Sequence, residues 1–289
     1  LAGNPGQAAV RRPPGPLQLV ARNPLGLLGL VLTGLVLLFA IVGPLVSADP
    51  LAQDFLAMRS PPTPAHPLGT DQFGRDVLAR VLSGYRASLL VAGGSVLLAL
   101  LVGGPLGVTA AYLGGWYDRM VMRVMDVLLA FPIILLAIGI VAVLGPGAVN
   151  TALAIGIVYI PTFARLLRAP ALVLQKSDFV QAARALGAND RRIVFRHIAP
   201  NIATVALVQT TLALSTAILV EASLSFLGLG TQPPNASLGA MLAEGRAFLT
   251  INPWPSLFSG LGILLASFGF NLLGDSLRDA LDPRLRGRD

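Results

Sequence analysis

The chain has 289 residues, of which 54% are hydrophobic and only 12% charged, about half the charged fraction usual in soluble domains. At a mean hydropathy of +0.74, folding in water would leave more apolar surface than a globular protein hides, which excludes an ordinary soluble protein. With no Cys and only His66 and His197, disulfides, thiolate metal sites and cysteine nucleophiles are excluded, and no zinc ligand set remains.

Residues 1–23 mix Pro, Gly and Ala with Arg11, Arg12 and Arg22 and read as a tail. The first apolar run, Pro24 to Ser47, is longer than a signal-peptide core and shows no small-residue cleavage site, so it reads as a retained membrane anchor. Residues 48–86 form a connection outside the membrane. In it Pro61, Pro62, Pro64 and Pro67 stiffen the approach to a turn of Gly69, Thr70, Asp71, Gly74 and Asp76 that leads into a helix start. That turn is either plain architecture or, through Asp71, Arg75 and Asp76, a place where substrate is met.

A core of spans follows over residues 87–274. The second span lies within Ala87 to Tyr117. From Val127 to Ala164 no charge interrupts the chain, a run of about 57 Å as one helix and nearly twice the hydrocarbon core. It must fold back, and Gly145, Pro146 and Gly147 supply the turn between spans three and four. Span four continues past Pro161 toward Leu174, span five fits Ile202 to Val220, and span six fits Pro255 to Leu273. Residues 275–289 close the chain as a charged tail. The expectation is an all-α polytopic membrane protein of about six spans.

Basic residues in alternate connections set orientation, because they are retained on the cytoplasmic side. One side collects 16 of them and the other five, Arg59, Arg75, Arg80, Arg86 and Arg246. Both termini are therefore expected in the cytoplasm, and the net charge of +7 reads as topology rather than as a nucleic-acid surface.

Chemistry is excluded piece by piece. Lys176, the sole lysine, follows Leu174 and Gln175 rather than a glycine turn, so the chain has no phosphate-cradling loop and any ATP must be bound by another subunit. Mid-span carboxylates of the kind an ion-coupled carrier uses are missing, since Asp126 and Glu221 stand at the ends of apolar runs and read as interfacial or capping residues. Hydrolase motifs are absent too.

The connection between spans four and five, Ser177 to Asn201, reads as two short helices around a glycine break. Asp178 and Gln181 have capping-box spacing, Ala182, Ala183, Ala185 and Leu186 carry the first helix, and Gly187 ends it. Asn189 or Asp190 caps the second, which Pro200 ends or hands to span five. Ile193, Val194 and Ile198 share one face within about 140°, with Arg192 and Arg196 opposite. By this physics the pair either rests on lipid headgroups or offers a face to a partner.

The stretch QAARALGANDRRIVFRHIAP resembles the E-A-A-x-x-x-G loop of permease subunits in binding-protein-dependent ABC importers, matching at Ala182, Ala183, Gly187, Ile198 and Pro200. Gln181 stands where that loop usually has Glu, and Ala199 where Leu is common. Further stretches, His66 to Gly84, Ala111 to Asp126, Glu221 to Arg246 and Asn271 to Arg286, are similar to dipeptide and oligopeptide permeases, and among these to the second of the two paired membrane subunits. The resemblance implies the type I importer permease fold. It implies a coupling loop over 177–200 that docks on an ATPase, a homologous second permease, two ATPase subunits holding ATP and Mg, and a peptide-loaded binding protein outside. It implies no cofactor and no catalysis in this chain, in the inner (plasma) membrane. Related permeases for a nickel chelate or glutathione share these motifs, and a secondary carrier, disfavoured by the missing mid-span carboxylates, is the alternative of a different class.

Overall fold

A computed structural model describes residues 16–281 and contains eleven α-helices within them. After α1 (Pro16–Arg22) comes α2 (Pro24–Val46), followed by α3 (Val77–Leu113), α4 (Gly115–Leu129), α5 (Ile133–Leu144) and α6 (Ala148–Gln175). The remaining helices are α7 (Asp178–Ala185), α8 (Asp190–Arg192), α9 (Ala199–Phe226), α10 (Leu238–Arg246) and α11 (Trp254–Leu281). Residues 1–15 and 282–289, with Arg11, Arg12, Arg284, Arg286 and Arg288, lie outside the described residues.

Five helical stretches are long and apolar enough to cross a membrane, and six if the bent pair α4 and α5 forms one span. Their interfaces are built from small residues, because apolar side chains gain nothing by leaving lipid for a neighbouring helix and close backbone packing must supply the attraction. In α2 the buried positions are Gly26, Gly29, Thr33, Val36, Ala40 and Gly43. They alternate three and four residues apart and form one stripe, on which Gly29 meets the backbone of α11 at Leu272 and Leu273. The largest interface joins α3 to α6. A Cβ at Gly107 would collide with the carbonyl oxygen of Ala164, so only glycine permits this approach.

Two elements differ from expectation. The helix α3 has 37 residues and starts at Val77, within the stretch expected as connection. At about 55 Å it exceeds the core by several turns. The third span is not one straight helix, because α4 and α5 meet at 93°. Pro132 stands at the start of α5, where it lacks the N–H that would continue α4 and biases Phe131 away from helical backbone. The fold-back at the middle of the uncharged run is present: α5 ends at Leu144, and Gly145 and Gly147 have φ of +86° and +143°.

Candidate functional site

The 177–201 segment sits at one end of the bundle, against the ends of α3 and α6 and the start of α9. Its first helix, α7, is capped by backbone geometry at Ser177, not Asp178, and Ser177 Oγ donates to the Leu174 carbonyl instead of capping. Gln181 closes no capping box. Its Nε2 donates to the Gln175 carbonyl at 3.1 Å and ties α7 back to the end of α6. At the other end the N–H of Gly187 donates to Arg184 and that of Ala188 to Ala183, the paired bonds of a Schellman stop, with Gly187 at φ +81°. Asn189 Oδ1 then accepts from the Arg192 N–H at 2.8 Å and caps α8. The chain continues through a π-helical turn at Ile193–Ile198 into α9, so Pro200 lies in the first turn of α9, where a missing N–H is harmless.

The apolar face of this segment is used inside the protein. Val180, Ile193 and Ile198 are fully buried in a cluster with Val108, Tyr112 and Leu167, so the segment is not resting its apolar face on headgroups. Polar contacts fix it further: the Tyr112 hydroxyl donates to Asp190 and accepts from Arg184 Nη2, and Gln175 Nε2 donates to the Tyr112 carbonyl. Of the expected residues, Gln181, Ala182, Gly187 and Pro200 are exposed, Ala183 is half-buried, and Ile198 belongs to the base. Leu186 and Phe195 complete the outward face, 89% and 69% exposed. Sequence reasoning gave Leu186 only to the first helix and did not single out Phe195, because local pattern does not say which apolar residues of a mixed segment face away from the bundle.

The opposite end holds a different kind of polar cluster. Asp71 accepts from Arg75 Nε at 2.6 Å and faces Arg80 Nε at 3.4 Å. Arg75 and Arg80 each donate an Nη2 hydrogen to Glu244 Oε2 at 3.1 Å. Asp71, Arg75 and Arg80 are all buried. Asp76 caps α3 through the Ala79 N–H and accepts from His66 Nδ1 at 2.9 Å. Asn252 Nδ2 donates to the Thr70 carbonyl at 2.8 Å. These bonds clasp the 48–76 connection to α10 and the segment after it. Glu244, paired with residues more than 160 positions away, could not be found from local sequence.

The model for binding-protein-dependent transport system inner membrane components matches residues 103–287, and the N-terminal transmembrane domain of oligopeptide transport permease C matches residues 19–62. The chain belongs to the former family. A dipeptide transport system permease protein of Alkalihalophilus pseudofirmus is 44% identical to this permease over 92% of the chain and 88% of that protein. A glutathione transport system permease protein of Pectobacterium atrosepticum is 47% identical over 81% and 77%. A putative peptide transport system permease protein of Brucella suis is 46% identical over 90% and 88%. The inward-facing methionine ABC transporter MetNI shares the fold at a TM-score of 0.56, with 19% identity over 70% of this chain and 96% of that one. The family and the apolar helices place the permease in the inner membrane as a multi-pass protein.

Within the permease the carboxylates near span ends behave unequally. Asp126 pairs with Arg165, and Asp118 takes Arg168 bidentately with both contacts at 2.6 Å, joining α4 to α6. Glu221 is not exposed at the surface and does not cap a helix: it is fully buried in α9, where Ser225 Oγ donates to Oε1 at 2.7 Å. Hydropathy placed it at a run's end, but the helix continues to Phe226, and α9 packs against α3 and α10.

Proposed function

We propose that the permease is the membrane-spanning half of an ATP-driven importer of short peptides. It pairs with a homologous second permease, receives peptide from an extracytoplasmic binding protein, and is driven by two ATPase subunits that carry ATP and Mg. It breaks no bond itself. The 177–200 segment lies in the cytoplasm with both termini, and Gln181, Ala182, Ala183, Gly187 and Leu186 meet the ATPase, while Ile198 holds the segment to the spans and Pro200 passes it into α9. Closure of the ATPases moves this segment, α9 and α6 move with it, and the path changes the side it faces.

The observation that carries the reading is the construction of that segment: its apolar face is buried on α3 and α6 while small and apolar residues point outward. A segment made to rest on lipid would turn the stripe of Val180, Ile193 and Ile198 outward instead of burying it. Glutathione is the second reading, favoured by the Pectobacterium relative, and it is itself a short peptide.

Uptake of labelled dipeptide and of glutathione by the complete complex in proteoliposomes separates the two. Dipeptide should accumulate only with ATP inside the ATPase compartment and faster than glutathione. Preference for glutathione would replace the cargo, and uptake without ATPase subunits would sink the importer reading. Orientation is read by single Cys probes, since the chain has no Cys. Ser60→Cys and Asn235→Cys should react with an impermeant thiol reagent in intact cells and Asn189→Cys should not; Ala236, the neighbouring choice, is buried.

A further inference from the structure

The helix α4 is built the wrong way round for a packed span. Its one buried residue is Met125, while Trp116, Met120, Val124 and Val127 are exposed. On a helical wheel those four fall within about 80°. Arg119 and Arg123 border that stripe and are exposed, and among the described residues neither has a hydrogen bond, ion pair or ring contact. Other side chains tie the helix to the bundle. Asp118 takes Arg168 and Asp126 takes Arg165, both of α6, and the Tyr117 hydroxyl lies 3.3 Å from that of Thr109 on α3.

Two observations set the level and direction of α4. From Ala148 to Ala164 α6 carries no charge, about 26 Å of helix and nearly the thickness of the hydrocarbon core. Arg165 and Arg168 therefore stand at the edge of that core, and their ion pairs hold α4 there. From the fold-back at Gly145 to Gly147, α5 packs on α6. Because α4 meets α5 at 93°, it lies across the spans rather than among them.

We propose that α4 is an interfacial helix, lying in the plane of the bilayer at the end that carries the 177–201 segment. Trp116, Met120, Val124 and Val127 sit among acyl chains, and Arg119 and Arg123 meet the phosphates of anionic lipids. Helices that lie in a membrane surface have this build, with a Trp-bearing apolar face and basic residues beside it. The arginine heads reach the negative headgroups while their aliphatic stems cover apolar surface. The competing surface is the second permease. Helices that pack together in membranes use small residues, as α2 does on α11, whereas this stripe carries Trp, Met and two Val. Through Arg165 and Arg168 the helix holds α6 at the level of the headgroups, just before α6 passes into the 177–201 segment.

The test uses the complete complex in vesicles, with the other subunits freed of reactive Cys, since this chain has none. A spin label at Val124→Cys should be relaxed by oxygen, which concentrates in lipid, about threefold or more strongly than by a water-soluble nickel chelate. Stronger relaxation by the chelate overturns the proposal, and so does protection from both, which a second permease packed on α4 would give. A fluorophore on the same Cys should be quenched by spin-labelled phosphatidylglycerol about threefold or more strongly than by the phosphatidylcholine analogue, because two basic residues face the headgroups. Arg119→Gln combined with Arg123→Gln should bring the two lipids level while oxygen still reaches the label. Equal quenching with both arginines in place, or a preference that survives their loss, overturns the headgroup contact. Copurification of the subunits controls for assembly.

Discussion

The two ends of the bundle carry polar clusters of opposite design. At the end where α3 starts Asp71, Arg75, Arg80 and Glu244 bind one another, and three of the four are buried. At the end that carries the 177–201 segment Val180, Ile193 and Ile198 make the anchor, and Arg191, Arg192, Arg196, Leu186 and Phe195 are left outward. Charges engaged with each other can only hold the chain together, whereas apolar and charged groups left unengaged on a rigid base can meet a partner. The proposed function gives architecture to one cluster and force transmission to the other.

Substitutions should therefore separate stability from transport as they pass from the first region to the second. Arg80→Ala leaves Asp71 and Glu244 short of a buried partner and should cost about 3–5 kcal/mol, read as lost abundance and a lower unfolding temperature in detergent. An Arg80→Ala protein of normal stability would show the clasp to be dispensable. Ile193→Ala empties part of the base and should cost about 2–4 kcal/mol, with uptake and stability falling together. Loss of uptake at full stability would place Ile193 on the docking face instead.

Gly187→Val meets no neighbouring atom, since a Cβ there has open space around it. Its φ of +81° sets a local strain of about 1–2 kcal/mol. The permease should still insert and assemble, while uptake and peptide-stimulated ATP hydrolysis fall, measured in vesicles at equal complex abundance. Near wild-type values for both would show that coupling does not pass through this turn. Leu186→Glu should have the smallest effect on stability, within about 0.5 kcal/mol for a surface change, and a large one on transport.

Much of this was legible along the chain, for reasons particular residues make plain. Gly145, Pro146 and Gly147 announce a turn because their backbone preferences are local, and Gly187 announces a helix stop for the same reason. Of the prolines that the span reading runs through, Pro132 alone misleads. Pro105, Pro161 and Pro170 lie inside continuous helices, where neighbouring helices and hydroxyls can satisfy freed backbone groups, while Pro132 stands at a 93° bend. The local signal is alike at all four, and tertiary packing decides. The capping register, one residue off at Ser177, turned on whether Gln181 would reach its own helix start or the carbonyl of Gln175. The burial of Glu221 and the pairing of Arg80 with Glu244 depend on distant segments and leave no mark in local pattern. At the candidate site the small residues of the loop were readable, but Leu186 and Phe195 gained meaning only when their neighbours were found buried.

Copurification of the ATPase subunits on a tagged permease carrying Leu186→Glu tests the central claim most directly, because the side chain is 89% exposed and supports nothing within the chain. If this face is where the ATPases dock, recovery of those subunits should fall about tenfold or more, as for a buried charge at an interface core, with the permease present at its normal level and unfolding temperature. Wild-type recovery of both ATPase subunits would contradict the account and move the docking face elsewhere on the permease.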